Sequence, residues 1–362
     1  MLHIVNGCAI ATQDYQITFK ENGLDELSFN LNRTDPAYQY LAEQEQILET
    51  TQKQRFTVRK ISVSRNSVRV ICQLALEDWQ KDIFLNFSDL SKDGFTHERT
   101  ESDMLQNILL ASGTALATAG WTATVDIGQN DHKTRAISMA GPTPLDVVQQ
   151  MASTFRCAFA FNTIEKKVKI FYPEKRQMTN VYAIETVNLL EAPAYKGDSS
   201  ELFTRLYPVG KDGLSIADVN GGVSYVEDTS YTGGKVISKL WKDDRYESKT
   251  SLKADALEKL AEGCVPVKSW QLNIVDLHKL NPEAFPGLEL KMFDKIRIID
   301  RARKQSFDAQ IREMKVYPYY PEKTVLTMAT STVTVQKTTK ELSIALANPN
   351  SKFWQQLKSI SI

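Results

Sequence analysis

Only four histidines occur in the 362 residues, and no two of them have the spacing of zinc ligands. A zinc hydrolase typically carries two histidines four residues apart on a helix, because both rings then project from one face. The nearest string begins at His97 and has Glu101 where the second histidine should stand. The other histidines are His3, His132 and His278. We interpret all four as solvated loop residues, and the sequence predicts no zinc centre.

Glycine-rich segments cradle phosphate when they match GxxxxGK[ST] or GxGxxG between a strand and a helix. Residues 210–213 and 221–222 match neither pattern, so turn formation explains them better. No nucleophile elbow of the type GxSxG is present either. The sequence leaves open a serine or cysteine nucleophile that meets a distant histidine only in the fold, but it gives no positive indication of one.

Pairs of acidic residues are the remaining candidates for acid–base or metal chemistry. Asp243 with Asp244, and Asp126 with Asp131, lie in polar stretches where a solvated surface position is expected. Asp212, Asp218 and Asn220 suggest calcium, but the alternating Asp-x-Asx-x-Asx-Gly loop that ends in glutamate is missing. We therefore predict no catalytic, cofactor-binding or metal-binding residues, and no cofactor.

Composition limits the function classes further. Lysine and arginine number 44, as do aspartate and glutamate, so the formal net charge is zero and the chain lacks the basic excess of a nucleic-acid-binding protein. Because base stacking needs a basic surround, we expect the aromatic residues to fill cores and interfaces. These are Trp79, Trp121, Trp241, Trp270 and the tyrosines of residues 317–320.

Four cysteines lie far apart and form no CxxC pair. We interpret Cys8, Cys72, Cys157 and Cys264 as reduced, buried apolar residues. The first ten residues lack the features of a signal peptide, and no apolar run approaches the length that spans a bilayer. The expectation is a soluble protein made in the cytoplasm.

Hydrophobic alternation with a period of two predicts strands in the first hundred residues, because one face of each strand then meets a core. The alternating sets are Leu27, Phe29 and Leu31, then Phe56 and Val58, then Val68, Val70, Cys72 and Leu74. Asn22-Gly23 predicts a tight turn between strands. This region is expected to form an antiparallel barrel or sandwich.

Helical signals begin near Thr100. Thr100 and Asp103 resemble a capping box, and one helical face is expected to carry Leu105, Ile108, Leu109, Ser112 and Leu116. Thr143 with Pro144 and Asp146 is a clearer helix start. Its apolar stripe comprises Leu145, Val148, Met151, Ala152 and Phe155. A β-hairpin is predicted next, from residues 158–161 and 168–172.

Beyond residue 200 the pattern returns to strands, with one inserted helix. A strand is predicted over 202–209, turns over 211–234, and a helix that ends at Gly263. The helix is indicated by Leu252, Ala256, Leu257, Leu260 and Ala261. Later strands are indicated by Trp270, Leu272 and Ile274, by Ile296 and Ile298, by Phe307, Ala309 and Ile311, and by residues 325–328 and 333–335.

The predicted fold class is α+β, mainly β, with two β-barrel-like domains interrupted by an α+β insertion and a small helical insertion. The first β-barrel-like domain is assigned to residues 1–98 and the α+β insertion to 99–198. The second β-barrel-like domain starts over 199–240 and is completed over 281–335, with a helical and strand insertion at 241–280. Residues 336–362 form a tail or linker that ends in an amphipathic stretch from Phe353 to Ile362.

Three segments resemble one known family. They are the helix and hairpin from Pro144 to Tyr172, the string LYPVGKDGLSI at residues 206–216 with Asn220-Gly-Gly and Tyr225, and the closing β region from Leu290 through DKIRIID at residues 294–300 to Val316, Pro321 and Met328. Together they resemble the phage tail hub family. This family comprises the amino-terminal region of siphophage tail-associated lysins and prophage endopeptidase tail proteins, and it is related to contractile-phage baseplate hubs and to the base of type VI secretion spikes.

The resemblance implies a structural role in the virion, at the phage tail tip. Family hubs are homotrimers whose two β domains per subunit form a pseudo-sixfold ring, which adapts the sixfold tail tube to a threefold tip and surrounds or closes the DNA channel. The implied partners are further copies of the chain, the distal tail ring, the tape-measure protein and a fibre or receptor-binding protein, with DNA only passing through.

Many family members continue into a fibre or a peptidoglycan-degrading domain, whereas this sequence stops at Ile362. The expectation is that hydrolase and fibre lie on other chains or on a missing part, and that the chain is not an enzyme. Two alternatives stay open at this point. One is a peptidoglycan-degrading tail lysin, and the other is a module that binds host carbohydrate or a receptor.

Overall fold

The computed structural model describes residues 1–85, 94–126, 134–173, 178–184, 188–191, 194–244, 246–300 and 305–329. The chain divides into two compact units. The first contains Met1–Met178, Asn273–Asp294 and Arg312–Leu326. The second contains Thr179–Leu272, Lys295–Ile311 and the described residues from Thr327 onward.

Strands account for most of the regular structure in the described residues. In chain order they are β1 (Leu2–Ile4), β2 (Ala9–Ile10), β3 (Tyr15–Phe19), β4 (Glu26–Asn32), β5 (Gln46–Glu49), β6 (Gln54–Val63), β7 (Ser67–Leu74), β8 (Phe95–Arg99), β9 (Thr122–Asp126), β10 (Arg135–Met139), β11 (Ala158–Asn162), β12 (Lys167–Phe171), β13 (Met178–Ile184), β14 (Ala194–Asp198), β15 (Arg205–Val209), β16 (Val226–Glu227), β17 (Ser238–Lys242), β18 (Val267–Ile274), β19 (Lys295–Asp300), β20 (Gln305–Val316) and β21 (Thr324–Ala329).

The helices are fewer than the strands. They are α1 (Glu101–Asp103), α2 (Ala115–Thr118), α3 (Pro144–Phe155), α4 (Lys249–Gly263) and α5 (Leu277–Leu280). Single 3₁₀ turns occur at Glu21–Gly23, Pro36–Tyr40, Glu77–Trp79, Lys211–Gly213, Ala217–Val219 and Pro321–Lys323, and a π-helical turn spans Met104–Leu109.

The first unit is built on an antiparallel ladder in the order β2, β1, β5, β6, β7, β4, β3 and the end of β20. In the central pair, Leu27 lies opposite Cys72 and Phe29 opposite Val70. These side chains are buried, because alternation directs one face of each strand into the core. The strands predicted for this region are confirmed.

The predicted turn at Asn22-Gly23 is confirmed between β3 and β4. Both residues have positive φ, 57° for Asn22 and 80° for Gly23. Asparagine and glycine are the residues that adopt this left-handed conformation most readily, which is why the dipeptide marks the turn.

Helix α3 begins as predicted. Thr143 and Asp146 form a reciprocal capping box, and Pro144 stands in the first turn. The predicted apolar stripe is buried along its whole length. The following hairpin is also confirmed, since β11 pairs with β12 antiparallel, and β12 pairs on its other side with β9 in parallel.

The single helix predicted after Thr100 is wrong. Thr100 does cap α1, and Leu105 and Leu109 are buried in the π-helical turn that follows. The chain then leaves the helix, and Thr114 caps a separate helix, α2, that carries Leu116. A second capping side chain offers the backbone donors a new helix start, which periodicity alone does not reveal.

The second unit contains a small sheet in the order β16, β15, β17, with α4 packed on one face. The buried residues of this core are Phe203, Leu206, Ile216, Val226, Leu252, Ala256, Leu260 and Cys264. The predicted helix is confirmed and ends at Gly263, with Leu257 and Ala261 exposed on its outer side. The residues 252, 256 and 260 are spaced by four and form the inward stripe, and the next stripe faces outward.

The remaining strands of the second unit pair β14 with β18 and β13 with β19, and β19 with the first part of β20. Trp270 and Phe307 are buried in this region with ring centroids 5.2 Å apart. The fold class, α+β and mainly β, is confirmed, although the ladders follow open paths within the described residues. Residues 333–335 and the predicted tail at 336–362 lie outside the described residues.

Candidate functional site

The most specific sequence motif, Tyr207 to Leu214, lies in the second unit and forms the end of β15 and the turn after it. The N–H of Gly210 donates to the carbonyl of Leu214 at 2.8 Å, which closes the turn. Val209 and Ser215 form an isolated antiparallel bridge across its base. The motif therefore encodes a closed loop at the end of a strand.

A neighbouring segment fixes this loop against α4. The N–H of Lys211 donates to the carbonyl of Tyr246 at 3.0 Å. A side chain at Gly210 would not fit, because its Cβ would lie 2.6 Å from that carbonyl oxygen. The Tyr246 hydroxyl in turn donates to Asp255 of α4 at 2.5 Å. Close approach explains the first glycine of the motif.

The tip of the loop is exposed and left-handed. Asp212 has a φ of 54° and Gly213 a φ of 80°. Ion pairs flank the tip, one between Lys211 and Glu247 and one between Lys249 and Asp218. They line an open groove of about 580 Å³ together with Asp212, Gly213, Leu214 and Ser215.

The two ion pairs set the protonation of the groove. A hydrogen bond from Lys249 lowers the pKa of Asp218, and a hydrogen bond from Lys211 lowers the pKa of Glu247. The pKa of Lys211 is raised by the same contact with Glu247. Both lysines of the groove are thus matched by carboxylates, Lys211 by Glu247 and Lys249 by Asp218.

The face of the small sheet that points away from α4 carries a second polar cluster, which the sequence reasoning missed. Arg205 lies 4.2 Å above the ring of Tyr225 and pairs with Glu227 at 2.6 Å. The rings of Tyr207 and Tyr225 are 5.3 Å apart. The two-residue spacing of Arg205 and Tyr207 on a strand was the available signal, since it places both on one face.

The residues considered for calcium have other partners. Asp218 is bound to Lys249. The Asn220 amide nitrogen donates to the carbonyls of Val223 and Tyr225, at 3.1 and 2.8 Å. Within the described part of the chain, no group of three or more histidine, cysteine, aspartate or glutamate residues is arranged to hold a metal ion.

The histidines are not loop residues where the structure describes them. His3 lies in β1, His97 lies in β8 with its ring 4.7 Å from that of Phe95, and His278 lies in α5. His278 Nδ1 is 3.0 Å from the carbonyl oxygen of Phe285. The loop interpretation is wrong for these three because each pairs or packs within an element. His132 lies outside the described residues.

All four cysteines are free, as predicted. Cys72, Cys157 and Cys264 are buried, whereas Cys8 is partly exposed, so the prediction of burial is wrong for Cys8. Cys8 precedes the two-residue edge strand β2, where little structure covers it. Burial raises the pKa of Cys72 and Cys157, which keeps these thiols protonated and unreactive.

One member of each carboxylate pair contacts a lysine: Asp126 contacts Lys169 at 2.6 Å and Asp244 contacts Lys242 at 3.6 Å. Asp131 lies outside the described residues.

The expectation that aromatics fill cores is confirmed for three tryptophans. Trp79 packs edge-on against Trp121, with ring centroids 5.3 Å apart, and both are buried, as is Trp270. Trp241 is partly exposed and packs against Tyr246.

In the described part of the chain, none of the helices combines the length with the apolar composition that crossing a bilayer requires.

Comparison with known proteins gives one family and several solved structures. Residues 180–339 match the family model described as prophage endopeptidase tail. No curated protein matches the sequence. The prophage tail protein gp18 of Listeria monocytogenes is similar in structure, with a TM-score of 0.66 at 14% identity over 95% of this chain and 96% of that chain.

Two further tail proteins have a similar fold. The 43 kDa tail protein of prophage MuSo2 from Shewanella oneidensis gives a TM-score of 0.61 at 11% identity, over 92% of this chain and 97% of that chain. The tail protein from Neisseria meningitidis gives 0.61 at 8% identity, over 91% and 95%. The resemblance to the phage tail hub family is confirmed.

Proposed function

We propose that this chain is a structural component of a phage tail, a hub of the tail tip or baseplate. The observation that carries the proposal is the family match over residues 180–339, which contains the motif loop and α4 of the second unit. The fold shared with prophage tail proteins over nearly the whole chain supports it.

In this proposal three copies form a ring that adapts the sixfold tail tube to a threefold tip and surrounds or closes the DNA channel. The ring contacts the distal tail protein ring, the tape-measure protein and a fibre or receptor-binding protein. The zero net charge supports assembly, because low net charge favours association. The six-segment domain organisation, from the 1–98 tube domain to the 336–362 tail, belongs to the same proposal.

The proposed role is not enzymatic, although the matched family carries the word endopeptidase. In the described residues Asp126 and Asp218 contact lysines, and burial raises the pKa of the Cys72 thiol, which favours its protonated form. Purified peptidoglycan incubated with the protein should release no soluble fragments. Release that depends on protein concentration would favour the lysin alternative instead.

Light scattering over a concentration series tests the assembly. A particle built from rings of three copies of the 40.9 kDa chain is expected, either alone or once a purified distal tail ring is added. A chain that stays monomeric and does not bind the distal tail ring would contradict the hub proposal.

A further inference from the structure

Strand β17 is the edge of the small sheet in the second unit. The sheet runs β16, β15, β17, so within the described residues β17 is paired only with β15. Every residue of β17 except Trp241 is exposed. An uncovered edge presents unpaired N–H and C=O groups that can pair with a further strand.

The hydrogen bonds to β15 identify which groups are unpaired. The N–H of Arg205 donates to the carbonyl of Ile237 at 3.0 Å, and the N–H of Asp243 donates to the carbonyl of Val209 at 2.8 Å. Backbone groups alternate in direction along a strand, so the odd-numbered residues of β17 face β15. The N–H and C=O groups of Ser238, Leu240 and Lys242 therefore point away from the sheet.

Leu240 stands at the centre of this edge and is 68% exposed, the highest value among the exposed large apolar residues of the described chain. Its side chain shares a face with those of Tyr207 and Arg205, because residue 240 lies opposite residue 207 in the parallel register. The Leu240 side chain does not pack on α4, since α4 covers the other face of the sheet.

We propose that β17 pairs with β17 of a second copy of this chain, antiparallel and about a twofold axis at Leu240. In this register Leu240 lies opposite Leu240, and Ser238 lies opposite Lys242 of the other copy. The three outward-facing residues of each strand then lie directly opposite residues of the other strand in hydrogen-bonded, or narrow, pairs. Each narrow pair exchanges two backbone N–H···O=C bonds, which gives about six bonds in all.

The side chains are compatible with this register. The two Leu240 side chains cover each other, and on the opposite face Lys239 meets the ring of Trp241, an arrangement that suits a cation–π contact. No two lysines lie directly opposite each other. A shift that places Lys242 against Lys242 opposes like charges, and any other register loses the leucine pair.

Lysines on an edge strand usually discourage strand addition. Here their charges are partly neutralised within the same chain, because Lys239 contacts Glu201 at 2.9 Å and Lys242 contacts Asp244 at 3.6 Å. The zero net charge of the chain removes long-range repulsion between copies. The edge therefore accepts a second copy more readily than its lysines alone indicate.

A twofold contact of this kind is separate from the proposed threefold ring, because it joins one chain to a second copy whether or not a ring forms. Where its axis meets the threefold axis at a right angle, the two together give a closed assembly of dihedral symmetry with twice the mass of the ring. Its presence or absence can thus be measured whether or not the hub proposal holds.

Cysteine substitution tests the register. Leu240→Cys should form a disulfide-linked dimer under mild oxidation, because narrow pairs have Cα atoms about 5.5 Å apart, within disulfide range. Val236→Cys is the matched control, exposed on the same edge. Its two copies would lie roughly 26 Å apart at 3.3 Å per residue, so it should give at least tenfold less dimer.

A mixing experiment makes the test stricter. Ser238→Cys and Lys242→Cys should each remain unlinked alone, with their counterparts roughly 13 Å apart. Mixed together they should cross-link. Equal cross-linking by Leu240→Cys and Val236→Cys, or no linkage in the mixture, would overturn the pairing.

The particle mass gives an independent readout. Leu240→Lys places two ammonium groups opposite each other and should halve the mass in light scattering without changing the melting temperature, since residue 240 is exposed. An unchanged mass overturns the proposal. The threefold ring is tested separately: the particle mass of Leu240→Lys, divided by the mass of one chain, should be three if the ring forms.

Discussion

The same backbone turn occurs in both units, in opposite surroundings. In the first unit, Asn22 and Gly23 have φ values of 57° and 80°, and in the second Asp212 and Gly213 have 54° and 80°. A Cβ at Gly23 would lie 2.8 Å from the ring of Phe161, whereas a Cβ at Gly213 meets nothing within 4 Å. The first turn packs against side chains of the core, and the second is an exposed loop tip.

The backbone geometry of a turn therefore does not reveal its role. Both dipeptides are chosen for the left-handed conformation. In the first turn a distant residue binds the side chain, because the N–H of Phe159 donates to Asn22 Oδ1 at 3.0 Å, whereas the second turn is held through the backbone N–H of Lys211. Substitutions in the first turn should therefore change stability, and those in the second should change contacts with partners.

The largest difference is expected from alanine at the two glycines. Gly23→Ala adds a methyl group against Phe161 and also strains the backbone, and it should cost about 3 kcal/mol of unfolding free energy. Gly213→Ala meets only the backbone strain and should cost about 1 kcal/mol. Denaturant unfolding of the two variants measures both values, and equal losses would contradict the contrast.

The residues before the glycines should differ less. Asn22→Ala leaves the N–H of Phe159 without its acceptor and should cost about 2 kcal/mol. Asp212→Ala removes no contact of this kind and should cost at most about 1 kcal/mol. Asn22→Asp, which keeps an acceptor oxygen, is the control. Chemical denaturation that ranks Asp212→Ala as the more damaging variant would reverse the comparison.

The first turn should also respond to pH. Burial raises the pKa of Asp25 to about 7, although its Oδ1 accepts a hydrogen bond from the N–H of Lys20 at 2.8 Å. The unfolded chain releases this proton near pH 4, so the contribution of Asp25 to stability is complete below pH 4 and is lost as the pH rises to 7.

Asp25→Asn removes this dependence. The variant should match the parent at pH 4. At pH 8 its unfolding free energy should exceed that of the parent by on the order of 2 kcal/mol, about half of what the full rise in the pKa of Asp25 would give without solvent screening. Asp218, beside the second turn, has a lowered pKa because of Lys249 and works in the opposite direction. Melting curves at both pH values decide this, and parallel curves for parent and Asp25→Asn would refute it.

The smallest effect on stability is expected at the exposed tip. The double variant Lys211→Glu with Lys249→Glu reverses the charge at two positions and breaks both ion pairs of the groove. Surface ion pairs contribute little to folding stability. The melting temperature should remain unchanged, and binding to a purified distal tail ring should weaken. The swap Glu165→Lys with Lys167→Glu, at an exposed ion pair of the first unit, is the control. Equal binding by both double variants would separate the motif loop from the partner interface.

Sequence reasoning was most successful where one local signal suffices. The capping box at Thr143, the alternation of Leu27, Phe29 and Leu31, and the Asn22-Gly23 turn are all present in the structure. It failed where two local signals compete, as at Thr114. Such cases are decided by what packs against the element.

The candidate site shows the same division. The motif string drew attention to residues 207–214, but nothing in it indicated that the Tyr246 carbonyl lies against Gly210 or that Arg205 stacks on Tyr225. These contacts join residues about 20 to 36 positions apart along the chain, so no pattern of local spacing can contain them.

By itself, the sequence determined the periodicity of the strands and helices, their caps and turns, and the family resemblance, because these depend on residues within a few positions of each other. The tertiary structure decided which left-handed turn is buried, which carboxylate meets which lysine, and which strand is left at an edge. Those outcomes depend on burial and charge contacts between distant segments, and such contacts exist only once the chain has folded.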